Sequence, residues 1–388
     1  MLLKENISII TRIIYQGNIK LKKKVAIISN VSWNLYNFRL SLMCAMRDAG
    51  YEVIAIAPYD CYSERIIEQG FKFYDIKIDA QGINPIKDIK TIYAFYKLFK
   101  EVSPDAICQY TVKPNIYGSF IAKKLNIKVI NNIAGLGTLF IKENFVTKIA
   151  KTLYKISQNK VDRVFFQNRD DYDFFIEEGI VSQNKCDILP GSGVDINKFM
   201  PIKRDKGTTT EFILIARMIW EKGIVEYVDA ARIIKKKYPN TRFSLLGFLD
   251  VANPGAIPKI KMDEWIEEGV INYLGVTDNV YDVITTVDCV VLPSYYREGT
   301  PRVLLESGSS GKPIITTDNV GCRDVVDHGE NGYICKPRST EDLVEKIEMF
   351  LNLTDKEQFE MGQKSREKIK NKFDEKFVIN KYLEILEQ

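Results

Sequence analysis

Two glutamates, Glu298 and Glu306, close the two ends of the stretch E-G-T-P-R-V-L-L-E. Before it, Cys289-Val290-Val291-Leu292 reads as a buried strand ending at Pro293-Ser294, and residues 302–310 have helical spacing. The carboxylates therefore flank a strand-to-helix turn, Glu298 in the loop and Glu306 on the first turns of the helix. Gly299 lets the backbone approach a ligand closely. The free N–H groups of a helix start suit an anion such as a diphosphate. A carboxylate does not bind phosphate, but it accepts hydrogen bonds from vicinal hydroxyls. The pattern describes a site for a molecule with sugars at both ends of a diphosphate; the plain alternative is a helix with two solvated glutamates. A pair of cations, Arg217 and Lys222 in R-M-I-W-E-K, follows the apolar run 212–216. Both then lie at the carboxyl end of a strand, where open α/β sheets bind ligands. Arg offers a bidentate fork to phosphate oxygens and Lys a point charge.

The elements that must position these residues alternate along the chain. Val25-Ala26-Ile27-Ile28-Ser29 and Val53-Ile54-Ala55-Ile56-Ala57 read as buried strands. Between them lies a loop to Tyr36 and a helix over 37–49. Further strands are expected at 71–76, 105–110, 128–132 and 161–167, with helices at 62–69, 86–100, 115–125 and 169–178. Alternation of this kind implies βαβ units and a parallel sheet. The segment 195–211 is charged, aperiodic and holds Pro201 and Gly207, which marks a linker. A second series begins at 212, with strands at 242–246, 271–274, 289–292, 313–317 and 332–336. Helices are expected at 221–237, 280–287, 340–351, 356–370 and 374–387. Residues 24–195 and 211–370 thus form two domains joined by 196–210, with an extension at 1–23 and a last helix at 371–388.

Composition narrows the classes. The 388 residues are 45% hydrophobic and 27% charged, ordinary for a soluble globular protein. A net charge of +4, from 55 basic and 51 acidic residues, carries no polyanion signature and argues against nucleic acid as a partner. The seven cysteines form no C-x-x-C pair and several sit in apolar runs, which points to reduced, buried thiols in a cytosolic protein. A single histidine, His328, argues against a zinc site or a Ser-His-Asp triad. No apolar run approaches bilayer length. In the extension, Lys20, Lys22, Lys23 and Lys24 follow the apolar part, the wrong order for a signal peptide. It is either a short amphipathic helix touching an anionic membrane or an extension without function. Lys148, Lys151 and Lys155 recur at helical spacing, as a solvated face or as a surface for anionic lipid. Asp171-Tyr172-Asp173 is a D-x-D, a pattern that can hold a metal ion. Here it opens a helix, where acidic residues are stabilising for dipole reasons, and no metal requirement is expected.

The ordered set E-x7-E, Gly311-Lys312-Pro313-Ile314-Ile315, Gly321-Cys322-Arg323-Asp324-Val325-Val326 and Glu330-Asn331-Gly332-Tyr333 resembles the family 4 retaining glycosyltransferases. That resemblance covers residues 24–388. It implies the GT-B fold, two facing Rossmann-like α/β domains with parallel sheets and a C-terminal helix crossing back to the first. It implies that Arg217 and Lys222 hold the donor diphosphate and neutralise the leaving group. Glu306 would hold the ribose hydroxyls, and Glu298 would reach the transferred sugar. Gly299, Thr300 and Pro301 would line sugar and phosphate, and the loop at Val276 would cradle the base. On the acceptor side it implies Asn34 and Arg39, in the loop after the first strand with Trp33 and Asn37, and Lys113 in T-V-K-P-N.

Many relatives place a histidine where this chain has Val112, so a histidine base is excluded at that position. Front-face retaining transfer follows, with the donor phosphate oxygen taking the acceptor proton, in preference to double displacement with Glu298 as nucleophile. The likeness is to bacterial surface-polysaccharide enzymes that extend undecaprenyl-diphosphate-linked sugars. The implied donor is a UDP-hexose or UDP-N-acetylhexosamine, without cofactor, and the implied acceptor a lipid-linked glycan. The implied location is cytoplasmic, peripheral on the inner face of the membrane. The rivals are a sugar-nucleotide epimerase or hydrolase, and a non-catalytic nucleotide-sugar-binding protein. An NAD-dependent dehydrogenase is a poor fit, because N-V-S-W-N-L after the first strand holds no glycine.

Overall fold

Thirteen strands, in a computed structural model describing residues 22–78, 84–137, 145–202, 207–249 and 253–388, build two parallel sheets. The extension to residue 21 and residues 203–206 of the linker lie outside the described residues. The first sheet holds β1 (Lys24–Ile28), β2 (Glu52–Ala57), β3 (Lys72–Asp75), β4 (Ala106–Tyr110), β5 (Lys128–Ile133), β6 (Arg163–Phe166) and β7 (Cys186–Ile188). Their order is β3-β2-β1-β4-β5-β6-β7. The second holds β8 (Thr210–Ile215), β9 (Thr241–Leu246), β10 (Asn272–Tyr273), β11 (Cys289–Leu292), β12 (Ile314–Thr317) and β13 (Gly332–Cys335), in the order β10-β9-β8-β11-β12-β13. These are two Rossmann-like α/β domains. Their strands read as near-continuous apolar runs because helices cover both faces; all four residues of β11 are buried.

The described chain divides into two compact units, residues up to Cys108 with Ile121–Lys128, and Gln109–Phe120 with Val129–Gln388. In the first, β1 pairs with β2 from Lys24↔Glu52 to Ile28↔Ile56. The helix after β1 runs over Ser32–Asp48 and starts five residues before the expected 37. Leu35, Leu42, Met43 and Met46 form one buried row, and Leu35 extends it back past the polar asparagines that suggested a loop. Trp33, Asn34, Asn37 and Arg39 are therefore helical.

The segment expected as one helix over 115–125 is split. A π-helical turn, Pro114–Gly118, precedes a short α-helix, Ser119–Lys124. Thr111, at the end of β4, has φ +73°, and Gly118 passes directly over the Gln109 carboxamide. Beneath the turn lies a buried amide cluster. Asn131 donates to Gln158 Oε1 (2.7 Å) and Ser119 Oγ (2.8 Å), Gln109 donates to Asn131 Oδ1 (2.9 Å), and Gln158 donates to the Asn115 carbonyl (2.9 Å).

The sequence reading missed the helix Lys259–Glu267. Only Met262 and Trp265 anchor it, too few apolar positions to show a period after N-P-G. The last helix, Glu375–Glu387, rests Tyr382 on Phe165, with ring centroids 4.9 Å apart, and the Tyr382 hydroxyl accepts from Asn132 (3.2 Å).

Candidate active site

The order of the second sheet reverses between β8 and β11, which pair at Cys289↔Phe212 and Val290↔Ile213. Chains leaving two such strands diverge and open a crevice at their carboxyl ends. The cations arrive on one chain and the glutamates on the other.

After β8 the chain turns through Arg217 into a 3-10 turn, Trp220–Lys222, that ends at Gly223 with φ +75°. The carbonyl of Glu221 accepts from the backbone N–H groups of Tyr295 (2.9 Å) and Tyr296 (3.0 Å), which ties the two diverging chains together. Lys222 Nζ then donates to Glu298 Oε1 in an ion pair whose two side chains are each 11% exposed. Ser294 Oγ donates to the same oxygen (2.9 Å). The rings and cations stack nearby, with Lys222 Nζ 5.4 Å and Arg217 Cζ 5.9 Å from the centre of the Tyr296 ring. The Arg217 guanidinium is exposed and makes no ion pair among the described residues, so its fork is open to an anion.

Glu306 lies in the helix Arg302–Ser309 and pairs with Arg302 one turn back (3.0 Å). Burial pushes its carboxyl above the usual carboxylate range, and Arg302 pulls it back only in part. Pro301 stands at the helix start, where no side chain caps the N–H groups. Val276 is 54% exposed in a loop after β10, where the Gly275 carbonyl accepts from Gly247 N–H (2.8 Å). Arg217, Lys222, Glu298, Gly299, Thr300, Pro301, Glu306 and Val276 all belong to the second unit. Lys113 does too, at the cap of the π-helical turn. Asn34 and Arg39 belong to the first, where Arg39 is 2% exposed.

The sequence reading missed what holds the Glu298 loop from its other side. Arg297 Nε pairs with Asp171 Oδ1 (2.7 Å), and Asn168 Nδ2 donates to the Glu298 carbonyl (3.1 Å). Thr300 Oγ1 donates to the Gln167 carbonyl (2.9 Å), and Gly137 N–H donates to that of Arg297 (3.1 Å). Gly135 and Gly321 both approach Gly299 closely, and a Cβ on either would fall on the Gly299 backbone. The D-x-D residues have distinct partners. Asp173 pairs with Arg169 on the same helix (2.8 Å), while Asp171 is fully buried and serves Arg297, beyond any dipole role. The signal in the sequence was the unbroken polar run N-R-D-D after β6, which reads equally well as an exposed helix start. His328 is structural: its Nδ1 accepts from Ile334 N–H (3.0 Å). Among the described residues no group of three or more His, Cys, Asp or Glu could hold a metal ion, and no helix is long and apolar enough to cross a membrane.

Family models described as "Glycosyl transferases group 1" and "Glycosyl transferase 4-like" match residues 195–370 and 24–168. The chain is 26% identical, over 94% of its length and 98% of the relative's, to a Campylobacter jejuni N,N'-diacetylbacillosaminyl-diphospho-undecaprenol alpha-1,3-N-acetylgalactosaminyltransferase. It is 25% identical to an Escherichia coli UDP-Gal:alpha-D-GlcNAc-diphosphoundecaprenol alpha-1,3-galactosyltransferase, over 76% of this chain and 78% of that one. Among solved structures, a Rickettsia africae glycosyltransferase superposes with a TM-score of 0.76 at 17% identity, covering 94% of this chain and 98% of the other. The Anabaena protein HepE in complex with UDP and glucose superposes with a TM-score of 0.76 at 16% identity, covering 95% and 100%.

Proposed function

This chain belongs to the group 1, family 4-like glycosyltransferases, and we propose that it moves an N-acetylhexosamine or hexose, with retention, from a UDP-sugar to a lipid-linked glycan. The observation that carries this reading is the Lys222–Glu298 pair at the point where β8 and β11 diverge, with the Arg217 fork beside it. The relatives that act on diphospho-undecaprenol sugars support the acceptor class.

The anomeric C–O bond to the diphosphate breaks, and the acceptor hydroxyl oxygen bonds the same carbon on the same face. The acceptor proton passes to the departing phosphate oxygen. Arg217 and Lys222 stabilise the charge gathering on that diphosphate. Lys222 has three N–H donors, so it keeps Glu298 while turning another to phosphate. Glu298 accepts hydroxyl protons of the transferred sugar, and ionised Glu306 accepts those of the ribose. Gly299, Thr300 and Pro301 line the sugar and phosphate, and the loop at Val276 borders the base. Asn34, Arg39 and Lys113 serve the acceptor. No metal takes part, and the enzyme works peripherally at an anionic membrane surface on its cytoplasmic side.

Calorimetric titration with UDP, GDP, ADP and NAD tests the donor site. UDP should bind selectively, and Glu306→Ala should abolish that selectivity. Because burial raises the Glu306 carboxyl, UDP affinity should fall on acidification at a pH above the usual carboxylate range. Glu306→Gln should flatten that profile. Arg217→Ala should lower turnover by roughly 100-fold or more with the fold intact. Binding of NAD alone, or full turnover in Arg217→Ala, would sink the reading.

A further inference from the structure

The main-chain carbonyl of Glu298 accepts a hydrogen bond from a helix start far away in the chain. Asn168 caps the helix Arg169–Glu177 by accepting Asp171 N–H at its Oδ1 (2.7 Å). Its Nδ2 donates both to Asp171 Oδ2 (3.1 Å) and to the main-chain carbonyl of Glu298 (3.1 Å). Asp171 spends its other oxygen on Arg297, the residue before Glu298. The Asp171 side chain is fully buried and that of Arg297 is 20% exposed. A carboxylate is buried this deeply only when its partners are fixed, and a bidentate amide on a neighbouring carbonyl fixes backbone as well as side chain. The contacts fall on consecutive residues, Arg297 by side chain and Glu298 by carbonyl, while the Glu298 carboxylate points the other way, to Lys222 and Ser294. Nothing in this set touches Glu306 or its helix.

We infer that Asn168 and Asp171 are positioning residues that aim Glu298, so that they govern use of the donor's sugar without governing affinity for its nucleotide. The inference rests on the donor reading above for its kinetic half. Its structural half stands apart. In Asp171→Asn and Asn168→Ala, hydrogen exchange should quicken in the peptide spanning residues 295–301. Exchange should be unchanged over Trp220–Lys222 and Arg302–Ser309. Calorimetric UDP affinity should stay within about twofold of wild type. Turnover of UDP-N-acetylgalactosamine with an undecaprenyl-diphosphate-linked N-acetylhexosamine should fall about tenfold or more in kcat. Arg297→Lys, which keeps the charge opposite Asp171, should lose less.

Unchanged exchange in the 295–301 peptide would overturn the inference, as would UDP affinity falling in step with kcat. A wild type that binds no UDP, with loop exchange quickened as expected, would instead remove the donor reading and leave the positioning role standing.

Discussion

At the scale of single residues, the Asp171–Arg297 pair has a definite pH signature. Burial holds the Asp171 carboxyl above its ordinary value, and the pulls of Arg297 and Asn168 offset this only in part. A carboxyl raised in the folded state binds more protons folded than unfolded, so stability falls as pH rises through the window between the two values. Arg297→Ala removes the strongest downward pull and widens that window. The variant should lose roughly 3–5 kcal/mol at neutral pH, the cost of a buried carboxylate without its partner. Less of that loss should appear as pH falls towards the ordinary aspartate range. Urea midpoints at pH 5 and pH 7.5 would check this, and a pH-independent loss would contradict it. The placement of Arg217, Lys222, Glu298 and Glu306 was legible because each stands near a strand end or helix start, where spacing alone gives a position. Arg297 and Asp171 were not, because an ion pair between residues 126 apart leaves no mark on local periodicity.

Elements were legible wherever an apolar run or helical row was long. Every strand of both sheets except the short β7 was anticipated in place, since runs such as C-V-V-L admit little else. The departures have local causes. The helix Ser32–Asp48 began early because its buried row outruns its polar start, and Lys259–Glu267 has too few anchors to announce itself. The π-helical turn is the instructive one, because this widened, underwound turn sits on the buried amide cluster, which leaves no mark on local periodicity. Asn131→Leu would leave Gln158 Oε1 and Gln109 Nε2 with lost partners in a buried setting. A loss of roughly 2 kcal/mol or more is expected by chemical denaturation. A change below about 0.5 kcal/mol would mean that the cluster contributes little.

For the whole molecule, the two-domain architecture came from motif order, and the membrane question turns on surfaces. The helix Pro85–Val102 exposes Ile86, Ile89 and Tyr93, each about two-thirds exposed, at helical spacing beside Lys87, Lys90 and Lys97. In the basic helix Phe145–Gln158, Lys151 is bound to Glu178 (2.8 Å), which leaves Lys148 and Lys155 as its exposed lysines. An apolar stripe with flanking lysines is the pattern of an interfacial helix. Flotation with phosphatidylglycerol vesicles should recover the protein, and pure phosphatidylcholine should recover less. Ile89→Ser with Tyr93→Ser should weaken the first, and so should Lys148→Gln with Lys155→Gln. Equal recovery from both vesicle types would remove electrostatics from the account.

The close crossing of Gly135, Gly299 and Gly321 bears on how such a chain drifts over generations. Gly135 and Gly321 hold φ +92° and +75°, and each meets the Gly299 backbone where a methyl group would stand. No compensating change at a neighbour can make room, because the obstacle is main chain. A saturation library should therefore return glycine alone at Gly135 and Gly321, 186 residues apart by subtraction of 135 from 321. Lineages descending from this sequence are free to rewrite the loops around those three points, but they inherit the knot intact.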